Sequence, residues 1–163
     1  MIVGMSTANF TLFHVALSLV GIACGFIVIL GMLGNRRLPG WTALFLLTTV
    51  ATSVTGFLFP STGLDPAQIV GIVSLLVLAM ALLARYGRHL QGGSRWIFVI
   101  AAVIAQWLNC FVAVVQSFQK IPFAHALAPT QKEPPFLIAQ VFVMLLLVVL
   151  AVFAVRRFHP TSV

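Results

Sequence analysis

Hydrophobic positions along this chain form long uncharged runs, without the period-two alternation of a membrane β-strand. Five of these runs cover residues 1–35, 38–64, 66–84, 96–119 and 134–155. Each is long enough to supply the ~20 apolar residues that cross ~30 Å of hydrocarbon as a helix. The sequence therefore predicts five transmembrane helices, near 9–34, 41–59, 67–86, 96–118 and 135–156.

Composition agrees with this pattern. Of the 163 residues, 61% are hydrophobic and only 7% are charged, whereas a soluble domain has roughly 25% charged residues. A soluble globule and a disordered chain are both excluded. We expect an all-α integral membrane protein in which residues 1–163 form a single five-helix domain.

Basic residues indicate how the helices are oriented. Seven of the nine lysines and arginines fall on one side: Arg36, Arg37, Arg85, Arg88, Arg95, Arg156 and Arg157. The opposite side receives Asp65, Lys120, Lys132 and Glu133. Because basic loops stay in the cytoplasm, the N-terminus is predicted outside and the C-terminus inside. Anionic headgroups suffice as partners for the net charge of +7, and no nucleic-acid-binding module is visible.

The predicted loops contain helix-start signals. Asp65-Pro66 and Glu133-Pro134 each read as an N-cap followed by proline at the first helical position. The loop 119–134 is the longest and contains three charged residues. We expect it to lie on the outer side, against the bundle or the membrane interface, either as a functional cover or as a plain crossover.

Small residues mark one side of the first helix. Ser18, Gly21 and Gly25 share a seam with His14 at ~100° per residue, and small residues at this spacing allow another helix to approach closely. His14 has two interpretations. It is either a neutral imidazole bonded to a neighbouring helix or a ligand-binding or proton-carrying group.

Polar residues recur at a similar depth in several predicted helices. Depth estimated from helix rise places His14, Thr52, Thr55, Asn109, Gln116 and Gln140 in the outer half of the membrane, with His125 in the loop above. One hypothesis is a polar ligand-binding pocket in the outer leaflet, covered by the loop 119–134. The alternative is polar packing between helices by the same residues.

Other chemistry finds little support in the sequence. No catalytic motif, acid–base pair or metal-ligand spacing is present, so we predict no catalytic residues and no metal site. Cys24 and Cys110 lie at different predicted depths and should remain unpaired. A haem would have to use His14 and His125, and only His14 lies securely within a span.

Two stretches carry a resemblance to a known group of proteins. RRLPGWTALFLLTTVATSVTGFLFP (36–60) and FQKIPFAHALAPTQKEPPF (118–136) resemble small bacterial multi-pass inner-membrane proteins with no assigned activity. The resemblance implies a bacterial inner-membrane location and assigns no role to any residue.

Three functions are consistent with these features. The first is a non-enzymatic accessory or structural subunit of a larger membrane complex. The second is a binding or transport module for a small apolar or amphipathic ligand, such as a quinone or a lipid, in the outer-leaflet pocket. The third is a haem-binding electron carrier that uses His14 and His125.

Overall fold

The structure, a computed structural model, describes residues 2, 4–60 and 65–160. Its helices are α1 (Thr7–Leu33), α2 (Pro39–Gly56), α3 (Pro66–Leu82), α4 (Ser94–Lys120), α5 (Pro122–Leu127) and α6 (Pro134–Arg157). A π-helical turn, Leu83–Gly87, continues α3. The all-α class is confirmed, since 81% of the chain is helical and the described residues contain no strand. Residues 61–64, in the predicted second loop, lie outside the described residues.

Four of the described helices are long and apolar enough to cross a membrane: α1, α3 with its π-turn, α4 and α6. The chain is therefore a helical bundle suited to a membrane. Helix α2 is not among the four, because its 18 residues include five threonines and one serine. It is nevertheless a helix in the predicted place, beginning two residues before the predicted start.

Local sequence explains where the helices begin. The Ser6 hydroxyl accepts a hydrogen bond from the Asn9 amide at 3.2 Å, so α1 begins earlier than predicted. The Asp65 carboxylate accepts from the Gln68 amide at 2.8 Å, with Pro66 at the first helical position. The predicted cap of α3 is therefore confirmed.

Glu133 precedes α6 as predicted, but its side chain does not cap the helix. The next two residues are prolines and have no amide hydrogen to offer. The carboxylate turns back and accepts from the Thr130 hydroxyl at 2.8 Å, the Thr130 amide at 3.2 Å and the Lys132 amide at 3.0 Å. Glu133 therefore fixes the preceding loop rather than the helix.

The helices α1 to α4 form a ring in which α1 contacts α2, α2 contacts α3, α3 contacts α4, and α4 contacts α1. Helix α6 packs outside the ring on α1 and α4, and α5 packs on α4. Because successive helices are antiparallel, all seven arginines lie at one end, which we call the basic end. There the His159 amide donates to the Asn35 side chain at 2.7 Å. We call the opposite end the far end.

The interior of the ring is filled towards the basic end. Phe45, Leu78 and Phe98 are each at most 1% exposed and belong to one apolar cluster with Cys24. Cys110 belongs to a second cluster, beneath α6. Both thiols are free, as predicted.

Helix α1 approaches α2 and α4 closely at two glycines. A β-carbon on Gly21 would lie 3.2 Å from the Thr48 hydroxyl oxygen and 3.3 Å from that of Thr49. A β-carbon on Gly25 would overlap the Gln106 amide, which is fully buried. Ser18, the third residue of the predicted seam, donates its hydroxyl to the His14 carbonyl at 2.9 Å.

Substitution of Gly25 by alanine should destabilise the bundle. The added methyl group must displace the Gln106 amide and the Phe45 ring, and overpacking of this kind costs about 1–3 kcal/mol. Thermal unfolding in detergent should show a lower midpoint for Gly25→Ala. Gly93→Ala is the matched control, since nothing lies within 4 Å of its β-carbon position. Equal midpoints for Gly25→Ala and wild type would contradict the packing described.

Acidification should loosen the loop before α6. Desolvation raises the pKa of the Glu133 carboxyl, but the hydrogen bonds from Thr130 and from the Thr130, Lys132 and Glu133 amides outweigh it, and the pKa falls below its usual value. The hydrogen bonds therefore stabilise the loop at neutral pH, and this contribution is lost as the pH falls through the folded-state pKa. Amide exchange at Thr130 and Lys132, corrected for its intrinsic rate, should accelerate on acidification and in Glu133→Gln at neutral pH. Lys132→Gln should retain the wild-type pH dependence.

Candidate functional site: a cavity within the helix ring

A cavity of about 580 Å³ lies between α1, α2, α3 and α4 at the far end. Most of its wall is apolar, including Leu19, Phe57, Leu108 and Val112. On α1 the lining runs from Thr7 to Ile22, which corresponds to about 22 Å of helix rise. The cavity is therefore deep, and its inner end meets the filled half of the ring.

Four of the residues predicted for a ligand site line this cavity: His14, Thr52, Asn109 and Gln116. Thr55 lies behind the lining and contacts His14. His125 and Gln140 do not line the cavity. His125 Nδ1 lies 3.2 Å from the Phe118 carbonyl, and the side-chain amide of Gln140 donates to the Phe111 carbonyl at 3.2 Å. Both contacts hold these side chains on the α4–α6 side of the bundle.

The loop 119–134 does not roof the cavity as expected. Of the residues of this loop, only Lys120 and Ile121 line the cavity. After Ile121 the chain turns into α5 and folds back on α4. The side-chain amide of Gln131 donates to the Val115 carbonyl of α4 at 2.9 Å. The loop is thus drawn to one side of the opening by contacts with α4.

The hydrogen bonds around His14 favour one tautomer. When the Thr55 hydroxyl donates to the Ala51 carbonyl at 2.7 Å, its oxygen can only accept from His14 Nδ1, 2.8 Å away. In this arrangement His14 Nδ1 carries the proton. No described residue hydrogen-bonds Nε2, which is not among the fully buried unpaired atoms. In the neutral ring, Nε2 is an acceptor that remains available.

Most hydroxyl groups in the wall are already engaged. Thr11, Ser18, Ser53 and Ser117 each donate to a carbonyl four residues earlier in their own helix. This back-bonding is the usual way for such residues to satisfy themselves in an apolar helix. A molecule in the cavity would find few unengaged polar groups.

The unengaged groups are the ones that can recognise a ligand. Gln116 makes no hydrogen bond within the described part of the chain. The Thr52 hydroxyl also has no partner, but its oxygen is fully buried and is not accessible from the cavity. Asn109 uses one amide hydrogen to reach Thr49 at 3.1 Å, which leaves its second hydrogen and its oxygen. Together with His14 Nε2, these groups offer both donors and acceptors.

The floor and one wall contain residues that the sequence analysis did not select. Thr49 is fully buried and anchors Asn109, while Gln106 donates to the Ile22 carbonyl at 3.0 Å. Ser53 on α2 and Ser74 on α3 place their hydroxyl oxygens 3.2 Å apart. The only sequence signal for these residues was a polar side chain within an apolar span. Serine and threonine often hydrogen-bond a carbonyl of their own helix, so this signal does not single out any position.

Charges of both signs lie at the mouth. Asp65 and Lys120 belong to the lining, and both are exposed. No salt bridge joins any of the residues that the structure describes. The cavity therefore has an apolar wall with few polar groups and a charged rim, an arrangement that suits a molecule with one polar and one apolar part.

Metal and haem chemistry gain no support from this geometry. Across residues 2, 4–60 and 65–160, no three His, Cys, Asp or Glu side chains come together to hold a metal ion. A haem ligated by His14 and His125 would need both imidazoles on one ring, but only His14 lines the cavity.

Comparisons of the chain with protein-family models, curated proteins and solved structures found no match. The function is therefore inferred from the structure and the sequence.

Removing the Thr55 acceptor should change the tautomer of His14. Nitrogen-15 chemical shifts of the imidazole in wild type should report a proton on Nδ1. Thr55→Val removes the acceptor and should release the ring to a mixture of tautomers, whereas Thr55→Ser should retain the wild-type shifts. A wild-type spectrum with the proton on Nε2 would contradict the hydrogen-bond assignment.

Proposed function

We propose that this protein is a multi-pass membrane protein that binds one small amphipathic molecule, of the quinol or lipid class, in the cavity at its far end. The observation that carries the proposal is a 580 Å³, largely apolar cavity lined by His14, Asn109 and Gln116, each of which has an unengaged polar group. Ligand sites typically combine an apolar wall with a few placed polar groups.

The hydrogen-bonding capacity of the site favours a particular kind of head group. His14 Nε2 can only accept a hydrogen bond in the neutral ring, so the ligand should present a hydroxyl group there. Asn109 and Gln116 can donate to a carbonyl or accept from a second hydroxyl. The apolar body of the ligand would lie against Leu108 and Val112, and its exposed part would reach Lys120.

The filled basic half of the ring supports binding rather than conduction. Phe45, Leu78 and Phe98 occupy the space that a continuous pore would need. The cavity is therefore proposed as a site open at one end. We make the proposal non-enzymatic, because no hydrogen bond or ion pair couples His14, Asp65 and Lys120, the titratable residues of the described lining, to one another.

We further propose that all five long helices span the membrane, with the basic end in the cytoplasm and the cavity in the outer leaflet. Helix α2 rises about 27 Å over its 18 residues, close to the ~30 Å of a hydrocarbon core. The distribution of arginines supports the orientation. The resemblance to bacterial inner-membrane proteins supports that membrane as the location.

A second candidate function, an accessory subunit of a larger complex, is favoured by α6. Only two of its 24 residues, Leu147 and Ala154, are buried, so one helix offers a long apolar face to lipid or to another subunit. Photo-cross-linking from Phe142 in native membranes would test this function. A specific adduct with another membrane protein would support it, and labelling of lipid alone would remove it.

Reporter fusions should place the two ends of the chain on opposite sides of the membrane. Five spans require this result, whereas four spans without α2 would leave both ends on one side. A fluorescent protein that folds only in the cytoplasm should therefore be bright at the C-terminus and dark at the N-terminus. Bright signals from both fusions would contradict the five-span proposal.

Substitutions in the cavity should weaken ligand binding. A short-chain benzoquinol and the matching quinone are suitable probes, since only the quinol can donate a hydrogen bond to His14 Nε2. His14→Ala should weaken quinol binding by roughly 2- to 10-fold, the value of one neutral hydrogen bond, and change quinone binding less. Tryptophan fluorescence or calorimetry of the protein in nanodiscs would measure both affinities.

Matched substitutions outside the cavity provide the controls. His125→Ala and Gln119→Leu should leave both affinities unchanged, whereas Gln116→Leu should weaken the binding of both probes. Mass spectrometry of small molecules that co-purify with wild type and Gln116→Leu would extend the test beyond quinols. If neither probe binds and the co-purifying molecules are the same in both proteins, the proposed function is wrong.

A further inference from the structure

Arg85 is the only buried side chain among the nine lysines and arginines, at 8% exposed. It lies in the π-helical turn that ends α3, at the basic end. Its guanidinium carbon is 5.6 Å from the centre of the Tyr86 ring and 5.3 Å from that of Phe98. The charge is therefore held against two aromatic rings by the fold.

The guanidinium has no hydrogen-bond partner among the described residues. Its Nε is fully buried and unpaired, whereas its two Nη nitrogens are not among the buried unpaired atoms. Aromatic rings attract a cation but supply no strong hydrogen-bond acceptors. The unpaired Nε is costly, and the two accessible Nη nitrogens can reach an acceptor from outside the chain.

The two backbone carbonyls that precede Arg85 are already engaged, and both carboxylate side chains of the chain lie at the opposite end. The carbonyls of Leu83 and Ala84 accept from the Arg88 and Leu90 amides at 2.9 and 3.1 Å. The chain has two acidic side chains, Asp65 and Glu133, which precede α3 and α6 at the far end. Arg95 differs from Arg85 in this respect, because it donates to the carbonyls of Val155 and Phe158 at the end of α6.

The surroundings of Arg85 correspond to the headgroup level of a membrane. Trp41, Tyr86 and Trp96 are each about half exposed at the basic end, as expected for rings at a membrane–water interface. A guanidinium binds phosphate through two parallel hydrogen bonds, and its Nη pair here retains access to the outside.

We propose that Arg85 forms a specific phosphate-binding site at the basic end of the bundle, with a phospholipid headgroup or a soluble phosphate as the ligand. The buried aromatic setting orients the guanidinium, and the ligand supplies the acceptors that the chain lacks. This site is separate from the cavity and does not depend on its proposed ligand.

Thermal unfolding in nanodiscs would test the site. Wild type should unfold at a higher temperature in phosphatidylcholine containing phosphatidylglycerol than in phosphatidylcholine alone. Inorganic phosphate added to the second preparation distinguishes the sources: protection by phosphate indicates a soluble ligand, and protection by phosphatidylglycerol alone indicates a lipid. Absence of protection in both arms would overturn the proposal.

Substitutions separate a specific site from a general charge effect. Arg85→Gln should retain about 10-fold less phosphatidylglycerol than wild type in native mass spectrometry, because charged hydrogen bonds are lost. Arg88→Gln removes the same charge from an exposed neighbour and should retain the wild-type amount. Equal losses in the two variants would overturn the proposal.

Arg85→Lys provides a second test in case Arg85→Gln does not fold. It keeps the charge but cannot form the paired hydrogen bonds of a guanidinium, so retention should fall between that of Arg85→Gln and that of wild type. Retention equal to wild type in Arg85→Lys would overturn the assignment of a guanidinium-specific site.

Discussion

At Gly21 and Gly25, α1 comes so close to α2 and α4 that a β-carbon would crowd Thr48 or overlap Gln106. Hydrogen bonds cross the bundle at the same level, from Gln106 to the Ile22 carbonyl and from Asn109 to Thr49. This junction divides the ring into two parts. Towards the basic end the helices enclose a packed apolar core, and towards the far end they enclose the cavity. The floor of the site is therefore a consequence of helix packing.

Polar groups in an apolar bundle are costly unless they are bonded. The hydroxyls of the cavity wall largely meet this requirement within their own helices, which removes them from recognition. The first role considered for His14 is present, since Nδ1 is bonded to Thr55 on a neighbouring helix, and Nε2 stays available for the proposed ligand. Asn109 divides its amide in a similar way. A small number of unengaged atoms thus sets the chemistry that the cavity can recognise.

Charge is distributed unequally between the two ends. All seven arginines lie at the basic end, and the two acidic side chains lie at the far end. Ion pairs are absent from the part of the chain that the structure describes, so the arginines need other partners. Arg95 finds them in the carbonyls at the end of α6, whereas Arg85 has two aromatic rings and no acceptor. The difference between these two residues is the basis for the phosphate site proposed at Arg85.

The sequence by itself determined the helices, because the backbone amides and carbonyls of long uncharged runs must hydrogen-bond to one another. It also placed His14 and Asn109 at a similar depth, because the rise per residue of a helix fixes depth. Tertiary structure decided which helices are neighbours. That choice joined His14 to Thr55, left Gln140 outside the cavity and drew the loop 119–134 onto α4. Sequence periodicity predicted the seam that contains Gly25, but not that Gln106 of α4 and Phe45 of α2 would pack against it. Apolar helices present similar surfaces to one another, so the order of packing depends on such contacts.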